Sequence, residues 1–153
     1  MILGLFLGIQ AYLQRDMAQG QAPPLRASLL SGDRTVLADH AGEAVLLHFW
    51  ATWCPVCRLE HGSIDRLAED HQVITVAIQS GAEAEIRGFM DEHELDFPVI
   101  ADPDGRLAAR YGVKGVPASF FIDGDGRIAF RTRGYTTGWG LRARLWLTAR
   151  GLH

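Results

Sequence analysis

Cysteine is scarce in this chain: two residues among 153, too few to staple a loop-rich secreted scaffold. No second Cys/His cluster follows that pair at the spacing of a four-ligand zinc site. Basic runs are missing as well. A formal net charge of −3, with no stretch of Lys and Arg that reads as a phosphate-binding patch, leaves no case for a nucleic-acid partner. Met-rich and His-rich tracts are absent, which counts against a copper-binding chain. No apolar run reaches the roughly 20 residues needed to cross a bilayer. Internal repeats and low-complexity segments are lacking too. What remains, with apolar residues at 48%, is one globular domain, long enough for a proper core and too short for two.

The chain is organised around His48-Phe49-Trp50-Ala51-Thr52-Trp53-Cys54-Pro55-Val56-Cys57-Arg58. Ala44 to Phe49 reads as a buried strand and the residues after Cys57 as a helix. At such a junction, unpaired helix amides and the positive end of the helix dipole stabilise a thiolate on the first cysteine. Its pKa falls below that of a free thiol, and the thiolate is the reactive form. The second sulfur then resolves a mixed disulfide formed by the first, which is thiol–disulfide exchange. Two other uses of the pair fit less well. His61 adds a third metal ligand but no fourth follows, and a purely structural disulfide stabilises least across so small a loop.

Phe49 to Arg58, FWATWCPVCR, resembles the active-site segment of the thioredoxin superfamily. More narrowly it is similar to the membrane-anchored, extracytoplasmic branch: the TlpA/ResA/DsbE-type proteins and the suppressor-of-copper-sensitivity protein D group. The resemblance runs from about Leu25 to about Leu147. It implies an α/β, thioredoxin-like fold: a central mixed sheet flanked by helices, with an N-terminal hairpin and a TlpA/ResA-type central insertion.

Read in order, residues 1–13 are apolar apart from Gln10 and match a signal-anchor that is retained, although no basic segment precedes them. Residues 14–24 read as a polar, Pro-ended tether, and 25–150 as the domain. Leu25 to Leu37 suggests two short strands about a turn at Ser31-Gly32-Asp33. The helix from Cys54 to about Glu69 has Pro55 in its first turn, where no amide hydrogen is missed, and Ile64, Leu67 and Ala68 on its apolar face. Gln72 to Ile78 is a buried parallel strand, giving a right-handed βαβ unit. A helix follows over Ala82 to His93, with Ile86, Phe89 and Met90 inward. A strand over Phe97 to Ala101 and a helix over Asp104 to Tyr111 match the family's insertion. Ala118 to Ile122 and Arg127 to Thr132 form a hairpin, in which Asp123-Gly-Asp-Gly126 is a turn and not a calcium loop. Trp139 to Ala149 closes the fold, packed through Leu141, Leu145 and Trp146.

The resemblance assigns roles residue by residue. Cys54 is the nucleophile and Cys57 the resolving thiol. Glu60, three residues on, stands where a carboxylate raises thiol pKa and exchanges protons with Cys57. Trp53, Val116 and Pro117 face the substrate, with Pro117 cis. Pro55 and Val56 tune the potential. His48 replaces a buried aspartate of thioredoxin; half-protonated near pH 6.5 it would assist a thiolate, and neutral it would be a core residue bonded to backbone. The remaining histidines, His40, His61, His71, His93 and His153, are expected at the surface. No cofactor beyond the Cys54–Cys57 disulfide and no metal is implied. The implied setting is the periplasmic face of the bacterial inner membrane. There the chain would take electrons from a membrane thiol donor of the DsbD type and reduce disulfides in partner proteins, in cytochrome c maturation or copper tolerance. The competing readings are a disulfide-forming oxidase of the same fold and a Cu(I)-binding protein using Cys54, Cys57 and His61.

Overall fold

A computed structural model describes the chain from Met1 to His153. Helix α1 (Ile2–Gln14) precedes a hairpin of β1 (Arg26–Ser28) and β2 (Arg34–Val36). The central unit is β3 (Val45–Trp50), α2 (Pro55–Asp70), β4 (Gln72–Ile78), α3 (Glu83–Glu92), β5 (Val99–Asp102) and α4 (Arg106–Arg110). Strands β6 (Ala118–Ile122) and β7 (Ile128–Arg133) and helix α5 (Gly138–Ala149) complete it. The five-stranded sheet has the order β5-β4-β3-β6-β7. Strands β3, β4 and β5 run parallel, and β6 and β7 are antiparallel additions. This is the mixed, helix-flanked thioredoxin-like sheet expected.

Central position explains the character of β3. All six of its residues are buried, as a strand covered on both faces must be. On one face Phe49 meets Tyr111 and Phe120, with ring centroids 5.6 and 5.8 Å away. On the other, Trp50 lies 4.8 Å from the His61 ring and 5.6 Å from Phe89 and Phe97. Helix α2 seats Cys57, Glu60, His61, Ile64 and Leu67 against that second face.

The segment after α3 supplies the edge strand β5. Asp65 on α2 fixes its entry by accepting from the amides of Asp96 and Phe97 at 2.8 and 2.9 Å. The Asp102 carboxylate then caps the short α4, accepting from Leu107 and Ala108 at 3.1 and 2.9 Å. Asp123 makes the β6–β7 turn by accepting from the amides of Asp125 and Arg127, which is why its DxDG run forms a hairpin.

Three expectations need correction. The 14–24 stretch, expected as a tether, is docked. Met17 and Ala22 are buried, and the Gly20 and Gly126 carbonyls accept from Ile128 and Ala22 at 2.8 Å each. This segment covers the outer edge of β7, which otherwise exposes unpaired backbone groups. Trp146 points outward, 52% exposed, while Leu141 and Leu145 are buried. His61 is in the core at 4% exposed. Helix α1 buries none of its side chains, and no helix is long and apolar enough to cross a membrane.

Phe49→Ala removes one corner of the aromatic triangle it forms with Tyr111 and Phe120, themselves 5.1 Å apart, and is expected to cost about 3–5 kcal/mol. Urea unfolding at pH 7 checks this; a loss below about 1 kcal/mol would show that the triangle does not hold the sheet to α4.

Candidate active site

Strand β3 ends at Trp50, and Ala51 to Trp53 lead from it to the sulfurs. Cys54 is the N-cap of α2, in extended conformation, and its Sγ accepts from the Cys57 amide at 3.2 Å. Pro55 occupies the first turn, so the amide that would compete for the cap is missing. Cys54 and Cys57 are disulfide-bonded, with Cα atoms 5.3 Å apart. Cys54 keeps 5% of its surface accessible and Cys57 none. Of the pair, only Cys54 reaches the surface. Pro55 and Val56 are exposed on the outer side of this turn.

A second loop closes the other side. The Val116–Pro117 peptide bond is cis, and the Val116 carbonyl lies 3.8 Å from Cys54 Sγ. In the dithiol form the Cys54 S–H can donate to it. The N–H and C=O of Val116 pair with no other backbone group, so an edge of peptide stands open next to the sulfur. Trp53 is 58% exposed and its indole donates to the Gln79 carbonyl at 3.0 Å. The Thr52 amide donates to Ser80 Oγ at 3.0 Å, and Ser80 in turn donates to the Ile78 carbonyl. Ser80 and Gln79 thus hold the motif loop against the end of β4. Sequence reading missed both, because a serine and a glutamine after a strand carry no pattern of their own.

Three polar side chains of β3 and α2 form a buried layer of titratable groups: Glu60, His48 and His61. Glu60 is 1% exposed; its Oε1 accepts from the Thr136 amide at 3.2 Å, and Oε2 has no partner. Burial pushes its carboxyl up to about 7, against a smaller downward pull from the Thr136 bond. His48 is wholly buried and bonds through Nδ1 to Ser119 Oγ at 2.8 Å. Burial, with the neighbouring His61 as a lesser cause, pulls it down to about 3. The half-protonated His48 near pH 6.5 is therefore corrected: it is neutral at physiological pH and bonded to a hydroxyl instead of backbone. His61 packs edge-on among Trp50, Phe89 and Phe97, and burial pulls it down to about 4. No group of three or more His, Cys, Asp or Glu side chains is arranged to hold a metal ion.

Comparison with known proteins agrees with this geometry. The model of the AhpC/TSA family matches residues 18–131. Thioredoxin-like protein YneN of Bacillus subtilis is 36% identical over 128 residues, 78% of this chain and 75% of that one. Thiol-disulfide oxidoreductase ResA of Bacillus thuringiensis is 31% identical over 121 residues, 76% of this chain and 70% of that one. Among solved structures, the exposed lipoprotein thioredoxin Etrx1 of Streptococcus pneumoniae superposes with a TM-score of 0.72 at 27% identity, covering 81% of this chain and 98% of that one. A secreted Mycobacterium tuberculosis disulfide oxidoreductase homologous to E. coli DsbE gives 0.69 at 26%, over 80% and 94% of the two chains.

The buried layer sets the pH dependence of stability. Between its ordinary 4.5 and about 7, Glu60 ionises in the unfolded chain but not in the fold, so its contribution is lost as pH rises through that window. His48 and His61, held at about 3 and 4 against an ordinary 6.5, act oppositely: stability falls as pH drops below 6.5. Two histidines outweigh one glutamate between 4.5 and 6.5, so the oxidised chain is expected to be most stable near pH 6.5. Glu60→Gln should remove the decline above that maximum and His61→Phe should lessen the acid-side loss. Urea midpoints from pH 4 to 8 check both; unchanged slopes in both variants would show that neither group resists ionisation.

Proposed function

Because the chain belongs to the AhpC/TSA family, with thiol–disulfide exchange at Cys54–Cys57 as its chemistry, we propose that it acts as a reductant of partner-protein disulfides. The Cys54 thiolate attacks one sulfur of the partner disulfide, forming the Cys54–partner bond and releasing one partner thiolate. Cys57, deprotonated, attacks Cys54 Sγ, closing the Cys54–Cys57 disulfide and releasing the second. Two electrons pass to the partner, and the two protons of the dithiol end on its thiols. Glu60, one helical turn beyond Cys57 and titrating near neutrality, is the group that takes the proton from Cys57. The open Val116 edge beside Pro117 receives the partner backbone as an added strand, and Trp53 shields one side.

What supports that direction is the burial of His48 and Glu60, which opposes charge on either. An oxidase needs a strongly stabilised thiolate. Here His48 is neutral and Glu60 brings either no charge or a negative one, so only the α2 N-terminus favours the anion. The equilibrium potential of the pair against defined thiol buffers tests this. A value at or below about −270 mV is expected, and one near about −120 mV would overturn it in favour of an oxidase. In Cys57→Ser the mixed disulfide with a partner peptide should accumulate, since nothing resolves it.

The setting follows the relatives. Likeness to an exposed lipoprotein thioredoxin and to a secreted disulfide oxidoreductase supports an extracytoplasmic setting, where a membrane thiol donor of the DsbD type would feed the reductant. The substrate would be a haem-attachment Cys-x-x-Cys or a protein of copper tolerance. Helix α1, with Leu5, Phe6, Leu7 and Ile9 about half exposed or more, supports contact with the inner membrane. Phe6→Glu is expected to reduce flotation of the full chain with phospholipid vesicles at least tenfold, roughly the cost of placing a charge in lipid; equal flotation would remove α1 from that role.

A further inference from the structure

A cleft of about 480 Å³ opens between the outer side of α2 and the start of α5. Ser63 and Arg66 line one wall, and Thr137, Trp139 and Arg142 the other. The lining holds two cations and no carboxylate, and neither arginine enters any ion pair of the fold. Trp139 is 84% exposed, the most exposed aromatic of the chain. An indole so exposed, in one cleft with two guanidiniums outside any ion pair, does little for stability; its natural complement is a carboxylate-bearing, partly apolar surface.

The cleft is joined to the reactive sulfur by one fixed loop. Gly134 donates to the Pro117 carbonyl at 2.8 Å, beside the open Val116 edge. Thr136 donates to Glu60. Gly138 lies so close to α2 that a Cβ there would stand 2.8 Å from Ser63 Oγ. A chain leaving the Val116 edge along this loop arrives between Arg66 and Arg142. Ser63 and Arg66 are six and nine residues beyond Cys57, about 9 and 14 Å at the helical rise. An extended partner covers that distance in about three to four residues.

We propose that this cleft is a second docking point for the partner polypeptide, taking an acidic segment about three to four residues from its reactive cysteine. The carboxylates pair with Arg66 and Arg142, and the segment's apolar stems lie on Trp139. The distance, though not the charge preference, rests on the redox reading above.

The test uses the reduced full chain and peptides whose single cysteine is blocked by mercaptoethanol as a mixed disulfide. Two aspartates or two asparagines stand at the third and fourth positions on either side. The aspartate peptide should be reduced with a kcat/KM about three- to tenfold higher at low salt, the effect of two exposed ion pairs, and the preference should fade as salt screens it. Arg66→Glu with Arg142→Glu should abolish the preference or turn it towards a lysine peptide, while bis(2-hydroxyethyl) disulfide is reduced as before. Equal rates for the two peptides, or a preference that survives the double variant, would overturn the docking site. Failure to reduce even bis(2-hydroxyethyl) disulfide would instead defeat the redox reading. The cleft is then judged on the oxidised chain, titrated with the aspartate peptide carrying serine for cysteine. A salt-sensitive shift of the Trp139 indole N–H upholds it, and its absence rejects it.

Discussion

A sulfur used as a helix cap is the constraint from which the rest follows. For Cys54 Sγ to accept from the Cys57 amide, the chain must leave β3 at Trp50, cross Ala51 to Trp53 and reach Cys54 extended before it turns into α2. Strand β3, paired with β4 on one edge and β6 on the other, carries that turn at the centre of the sheet. The turn also places the second cysteine beneath the first. Reactivity and burial order are thus consequences of one short turn, and the flanking loops at Ser80 and Val116 serve to hold it from either side.

Under that turn the fold keeps polar atoms in places where packing alone would prefer hydrocarbon. His48 Nε2, His61 Nε2 and Glu60 Oε2 are buried without partners, and such groups reduce stability. Around neutrality both histidines are uncharged and Glu60 alone titrates, near 7, so these buried groups bring no positive charge. A core of Leu and Phe would be more stable and would offer no proton acceptor near Cys57.

The parts of this structure that were legible in the sequence are those with a strong period or a rigid residue. The β-branched run Gln72–Ile78, the motif with Pro55 behind it and the DxDG turn carry their conformation in local chemistry. Glu60 and Pro117 came from the resemblance, not from spacing. What stayed hidden were long-range matters. His61 resembles any helix histidine until Trp50, Phe89 and Phe97 are seen to enclose it. Residues 14–24 are polar and Pro-ended, and only the unpaired edge of β7 explains why they lie down against it. Ser80 gains its role from a loop 28 residues away.

That docked segment has a mechanical consequence. A free linker of eleven residues would let its domain wander over about 17–20 Å. Here Arg133 holds the Leu13 carbonyl and Arg131 the Met17 carbonyl, so α1 and the sheet share one frame. With α1 resting in a bilayer, the sulfurs would stand at a set height and face a set direction. Reach would then belong to the partner, and encounters would be limited to disulfides that can be presented at that level.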